Sequence, residues 1–215
     1  MKVELIVHNP RAKLVASRLP VIRNLVKGRK VLDIGCVNHE AESEKEVFWL
    51  HKFVKEHAEN VLGMDYDEKE VRKLKRLGYN VVHGDAQDYN LKEKFEVVLA
   101  GELIEHLPNP GKFLECCKKH LSGSGIIILT TPNAFSFRNL LRALLFGVVP
   151  TNDEHTCWFT PITLRKLCET QGLRLAEFYS FFNPEGSKIK YFIERLICFL
   201  RPSYAPNMLF VLKTS

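Results

Sequence analysis

Four short segments place a glycine beside or close to a carboxylate: Asp33-Ile34-Gly35-Cys36, Gly63-Met64-Asp65, Gly84-Asp85-Ala86 and Ala100-Gly101-Glu102. Glycine lets a backbone turn sharply and lets a ligand come close. A carboxylate such as Asp65 can accept both hydroxyls of a ribose, and Asp85 can accept a hydrogen bond from an adenine amino group. Together they describe a nucleoside site. No pyrophosphate signature accompanies it: neither GxGxxG nor GxxxxGK[ST] is present, and Asp65 follows Gly35 at more than the roughly 20 residues of the dinucleotide fingerprint. A nucleoside with a positive centre, held by acids and without a pyrophosphate, points to S-adenosylmethionine.

A second group could serve an acceptor. Transfer from a sulfonium is an in-line displacement, in which protein groups position the partners and can remove a proton. Glu102-Leu103-Ile104-Glu105-His106, read as a helix, puts Glu102, Glu105 and His106 on one face. His106 is then a general base with Glu105 or Glu102 orienting it, because an imidazole titrates near neutrality. His155, in the polar stretch Thr151–His155, is a second candidate.

Alternating elements must carry these residues. Five apolar runs read as strands: 30–34, 60–64, 80–83, 95–100 and 125–130, each closed by glycine, aspartate or a Thr-Pro-Asn turn. Helical patterns fall between most of them at 44–57, 68–77 and 111–121. Such alternation implies right-handed crossovers and a parallel sheet covered on both faces. Ligands then bind beyond the carboxyl ends of the strands, where all four glycine–acid segments fall. The rhythm changes after 130. Phe137, Leu140, Leu141, Leu144 and Leu145 keep helical spacing, 163–170 reads as a helix, 173–181 and 208–213 as strands, and 189–200 as an amphipathic helix. The helices at 135–146 and 189–200 carry Phe, Leu and Ile faces edged by Arg and Lys. Such faces can cover a pocket, lie on a membrane surface or form a dimer contact.

The chain has 215 residues, 46% hydrophobic and 26% charged, with a net charge of +6. This excludes a disordered, collagen-like or disulfide-miniprotein class, and a core can form without staples. The basic balance permits an anionic substrate, a nucleic acid or a membrane surface. The basic run from Arg11 to Lys30 and the acids at 40, 42, 44 and 46 read as solvated helix faces. The six cysteines show neither CxxC nor zinc spacing, which fits reduced thiols in a cytoplasmic protein. Neither a signal peptide nor a membrane span is expected.

Taken in order, VLDIGC (31–36), VLGMDYD (61–67), HGDAQDY (83–89) and the stretch 95–133 resemble the motifs of class I S-adenosylmethionine-dependent methyltransferases. The resemblance is nearest the ubiquinone-biosynthesis O-methyltransferases and methyltransferases of cell-surface glycans, and EHTCWFTPITLRKL (154–166) fits the same branch. It implies an α/β Rossmann-like three-layer sandwich with a seven-stranded, mostly parallel sheet and an antiparallel last strand. It also implies one domain over 1–215, with helical acceptor-side insertions near 134–171 and 184–203. By the resemblance, Asp33, Gly35 and Cys36 lie against the methionine of the cofactor. Asp65 holds the ribose, Tyr66 flanks the adenine, Asp85 and Ala86 meet its edge, and Gly101 and Glu102 line the floor near the sulfonium. One position departs: Val37 stands where the family carries glycine, and valine disfavours positive φ. The expected activity is O-methylation of a small or lipid-linked acceptor, a quinone precursor or a glycan. ExxEH with a distant histidine also resembles the metal site of small-RNA 2′-O-methyltransferases, which would assign Glu102, Glu105, His106 and His155 to a divalent ion. That RNA reading lacks a visible RNA-binding module. A third reading, a non-catalytic cofactor-binding protein, rests on Val37 alone.

Overall fold

The computed structural model describes residues 11–37, 49–182 and 190–215, without the side chains of 190–192. The chain runs β1 (Lys13–Val15), α1 (Leu19–Val26), β2 (Lys30–Ile34), α2 (Leu50–Lys55), β3 (Asn60–Asp65), α3 (Glu68–Arg76), β4 (Val81–His83) and β5 (Phe95–Gly101). It continues with a 3-10 turn (Ile104–His106), α4 (Pro110–Lys119), β6 (Leu121–Pro132), α5 (Phe137–Phe146), α6 (Pro161–Thr170), β7 (Leu173–Phe181), α7 (Lys190–Leu200) and β8 (Asn207–Thr214). One sheet has the order β1-β7-β8-β6-β5-β2-β3-β4. Only β8 runs antiparallel to its neighbours, β6 and β7.

The expected α/β sandwich with an antiparallel last strand is present, but among the described residues the sheet has eight strands rather than seven. The addition is β1, which pairs in parallel with β7 from Lys13↔Tyr179 to Val15↔Phe181. Three residues are too few to show an alternating pattern. The expected helix 44–57 begins outside the described residues, and its described part is α2. The start of the 189–200 helix likewise falls there.

Strands β2, β5 and β6 are apolar on both faces because both are covered. Val31, Val97, Leu99, Ile126 and Ile128 pack with Ile22 and Val26 of α1 and Val54 of α2. Leu32, Ile34, Val98, Ile127 and Leu129 pack on the other face with Phe113 and Leu114 of α4 and Leu164 of α6. Each fully buried aliphatic side chain contributes about 1.5–3 kcal/mol. Helix starts are set locally: Asp67 accepts from the Glu70 N–H, Asn109 from Lys112 and Ser136 from Asn139. Thr160 and Thr163 form a reciprocal cap on α6, with Pro161 at its first position.

This order places β2 at the topological switch. Strands β3 and β4 lie on one side of it and β5 and β6 on the other. The crevice between the carboxyl ends of β2 and β5 is where such sheets take ligands.

Candidate active site

Asp33 occupies β2 on the face of Val31, opposite Gly63 of β3 and Leu99 of β5. Its Oδ2 lies 2.8 Å from Nδ1 of His51, and both side chains are buried. His51 comes from α2, and the absence of a side chain at Gly63 makes room for it. A Cβ there would sit 2.7 Å from His51 Cε1 and 2.8 Å from Cys36 Sγ. Gly35 turns the chain with φ +75°, and its N–H donates to the Met64 carbonyl at 2.8 Å. Cys36 is buried, and burial, then the charges of Asp33 and Asp65, push its thiol pKa upward. Its carbonyl accepts from the Trp49 indole at 2.8 Å. Val37 does not take the positive φ of a glycine. Its N–H turns inward and donates to Asp65 Oδ2 at 3.0 Å.

Asp65 thus ties two loops, since Oδ1 accepts from the Asp67 N–H, also at 3.0 Å. A carboxylate has about four lone-pair positions, so each oxygen keeps one for a hydroxyl. Beside it Tyr66 is 74% exposed, and its carbonyl is fixed by His83 Nε2 at 2.9 Å. Asp85 at the end of β4 is exposed and caps the Gln87 N–H at 2.8 Å. The Ala86 methyl is buried in the core, so contact with a cofactor would involve its main chain. An exposed aromatic ring between two acids at adjacent strand ends fits a nucleoside.

β5 ends at Gly101, and the expected helix over Glu102–His106 does not form. Glu102 has φ +51°, alone among the described non-glycine residues in having a positive φ. Such a conformation costs about 1–3 kcal/mol and is held by its surroundings. Here the Glu102 N–H donates to the Thr130 carbonyl at 3.0 Å, and Oε1 accepts from Arg18 Nη1 at 3.1 Å. The same Nη1 donates to Thr130 Oγ1 at 2.8 Å. Only the 3-10 turn Ile104–His106 follows, and it separates the two glutamates. Glu105 is buried, with Oε2 accepting from Thr131 Oγ1 at 2.9 Å and Oε1 buried without a partner. Burial, then the negative charge of Glu102, raises its pKa to about 8.

The carboxylate in ion-pair range of His106 is neither Glu102 nor Glu105. It is Glu154, whose Oε2 lies 3.8 Å from Nδ1. His155 meets His106 edge-on, with ring centroids 4.7 Å apart. Burial, then the His106 charge, lowers the His155 pKa, which favours the neutral base. The Glu105 carbonyl accepts from the N–H groups of Thr156 and Cys157 at 2.9 and 3.2 Å, so the 3-10 turn holds the loop carrying His155. One ligand atom from each of Glu105, His106 and His155 lies within 4.8 Å of the others. The unpartnered Glu105 oxygen makes this trio a fit for a cation, and Glu102, turned toward Arg18, lies outside it.

A cavity of about 260 Å³ opens beside the trio, lined by Glu105, Thr131, Arg138, His155, Trp158 and Phe159 among others. Sequence reasoning missed Arg18, His51, Thr131 and Trp158. Arg18 belongs to the basic run read as solvated faces, yet its side chain is inside the site. No spacing signals it, because its partners lie across the sheet.

A family model described as a methyltransferase domain matches residues 8–177. A ubiquinone biosynthesis O-methyltransferase of Haemophilus ducreyi is 28% identical over 179 residues, covering 75% of this chain and 72% of that protein. A Mycolicibacterium smegmatis protein described as an S-adenosylmethionine-dependent methyltransferase is 28% identical over 164 residues, covering 74% of this chain. This chain spans only 57% of that relative's length. Among solved structures, an S-adenosylmethionine-dependent methyltransferase of Archaeoglobus fulgidus has a TM-score of 0.63 at 22% identity. That match covers 92% of this chain and 91% of the other.

Proposed function

The chain belongs to the methyltransferase-domain family and carries an S-adenosylmethionine-dependent methyltransferase domain, and from that premise we propose that it O-methylates a small or lipid-linked acceptor. A phenolic quinone precursor or a sugar hydroxyl is the acceptor class we assign. The observation that carries this reading is the cavity at the carboxyl ends of β5 and β6, with Glu105 and His155 in its wall. In the proposal residues 1–215 act as one domain, with helices of 134–171 and 184–203 on the acceptor side, and the protein works in the cytoplasm. Among the described residues no helix is long and apolar enough to cross a membrane.

S-adenosylmethionine supplies the methyl group and a good leaving group. The residues of this chain do the rest. Asp65 accepts the ribose hydroxyls, Tyr66 and Asp85 flank and meet the adenine with the Ala86 main chain, and Asp33, Gly35 and Cys36 shape the methionine end. Gly101, whose missing side chain makes room for Leu50 of α2, lines the floor near the sulfonium. Glu102, locked by Arg18 and Thr130, sets the border with the acceptor cavity. His155 takes the acceptor proton on a ring nitrogen, with His106 and the buried Glu105 carboxyl beside it. Trp158 and Phe159 give the acceptor ring an apolar wall and exclude water.

A second form of the reading rests on the trio. A divalent ion held by Glu105, His106 and His155 would lower the pKa of the acceptor hydroxyl at neutral pH. Calorimetric titration with S-adenosylmethionine tests the cofactor site. A screen of catechols, phenols and sugars, with labelled cofactor and with or without chelator, tests the acceptor. Transfer to a hydroxyl that falls by about a hundredfold in His155→Ala supports the proposal. Transfer only to nitrogen or to RNA, or cofactor binding with no acceptor at all, refutes it.

A further inference from the structure

We infer that α5 and α7 together form a docking face for an anionic lipid surface. The two helices lie side by side, joined by Arg138 Nη2 donating to Glu194 Oε2 at 2.7 Å. α7 has an inner face, with Glu194 and Cys198 buried and Cys198 packed on Phe182 and Ala205. Its outer positions Ile193, Leu196, Phe199 and Leu200 are exposed, Phe199 at 75%. α5 has no buried residue at all. Leu141, Leu144, Leu145 and Phe146 are exposed, Leu144 at 83%, and Val148 extends the patch beyond the helix end. Nine large apolar side chains exposed on and just beyond two neighbouring helices mark an interaction site rather than ordinary surface.

Charge selects the occupant. Residues 134–150 contain no acid, and 190–201 contain only Glu194, which is buried against Arg138. The exposed Arg195 and Arg201, with Arg142 at the cavity, therefore give this region one sign, the Arg195 guanidinium lying 5.7 Å from the Phe182 ring centre. A second copy in a two-fold contact would bring this patch against itself, arginines facing arginines. An anionic bilayer complements both features, taking the Leu and Phe side chains below the headgroups and the arginines among them. At ten and eleven residues these helices are far shorter than a membrane span, so the contact is peripheral. Arg138 and Arg142 of α5 also line the acceptor cavity, so docking would hold the cavity mouth against the headgroups. Resting on the proposed acceptor class, this narrows it to a lipid-anchored hydroxyl compound that enters sideways from the membrane.

The test is co-sedimentation of the full chain with vesicles of phosphatidylcholine, pure or with one-third phosphatidylglycerol, at low and high salt. Three arginines at an anionic surface predict a preference on the order of a hundredfold for the charged vesicles at low salt, lost at high salt. Leu144→Asp with Phe199→Asp should lower binding at least about tenfold. Because both side chains are exposed, this variant should keep its cofactor-induced rise in melting temperature. Arg195→Glu with Arg201→Glu, which leaves the apolar positions intact, should abolish the preference for phosphatidylglycerol. Equal binding of wild type and both variants overturns the inference, as does a wild-type dimer that Leu144→Asp with Phe199→Asp converts to monomer. Vesicle binding by a chain that fails to bind cofactor would refute the methyltransferase reading and leave the docking face standing.

Discussion

Asp65 has a structural role in tying two loops and a proposed role in binding the ribose. Its oxygens satisfy the Val37 and Asp67 N–H groups, and their outer lone pairs are the proposed ribose acceptors. Asp65→Ala orphans both donors at about 1–3 kcal/mol each, so lost binding could reflect a lost loop. Asp65→Asn keeps one acceptor oxygen, so it leaves one of the two N–H groups unpaired instead of both, and it puts a donor where a ribose hydroxyl would donate. We expect a folded protein whose Kd for S-adenosylmethionine rises at least tenfold, about 1.4 kcal/mol, read by calorimetry. Unchanged affinity would remove Asp65 from the site. Glu105 gives a pH signature. Its pKa in the fold is about 8 against an ordinary 4.5, so the fold prefers the protonated form. Stability from this group is fully present below about pH 4.5 and is lost as pH rises through about 8. Glu105→Gln should match wild type near pH 5 in thermal denaturation and melt above it by several degrees near pH 9. Parallel melting curves across that range would show that Glu105 is already ionised in the native protein.

At the scale of elements, packing beneath the cofactor crevice is set by one missing methyl. A Cβ on Gly63 would meet His51, Cys36 and Val81 at 2.7–2.8 Å, and those side chains come from α2, the turn after β2, and β4. Gly63→Ala should cost about 1–3 kcal/mol by overpacking. A lower urea midpoint at an unchanged slope would show it, together with weaker cofactor binding as His51 is pushed from Asp33. An unshifted midpoint would mean that α2 can yield freely. The same elements show what the sequence could disclose. β2 and β7 are readable to the residue because β2 is a short apolar run closed by Gly35 and β7 is a mixed apolar and polar stretch that starts just after Gly172. β1 is not, since its pairing with β7 is a long-range event. The acids at strand ends were legible because glycine accompanies each of them. The Glu102–His106 spacing suggested a helix, but tertiary contacts to Arg18 and Thr130 outweigh that local pattern and send the glutamates to different partners. Arg18, Thr131 and Trp158 reach the site from segments brought near only by the finished sheet.

For the whole molecule, the proposed cofactor and acceptor sites share a border yet rest on different parts of the fold. The residues proposed for the cofactor lie at the ends of β2, β3, β4 and β5, so a bound nucleoside would tie four strand ends together across the switch point. The acceptor cavity rests on the end of β6, α5 and the 150–159 loop. A ligand bound only by the native state stabilises it by about 2.7 kcal/mol at a hundredfold excess over Kd. For a chain of this size that is a rise in Tm of roughly 5–10 °C. We expect S-adenosylmethionine to produce such a rise in wild type and in His155→Ala alike, and Asp65→Asn to lose most of it at the same concentration. This pattern follows from the architecture, because removing His155 leaves the four strand ends untouched. If His155→Ala instead abolished the rise, the loop at 150–159 would have to close over the nucleoside itself. The border at Glu102 would then no longer divide two sites.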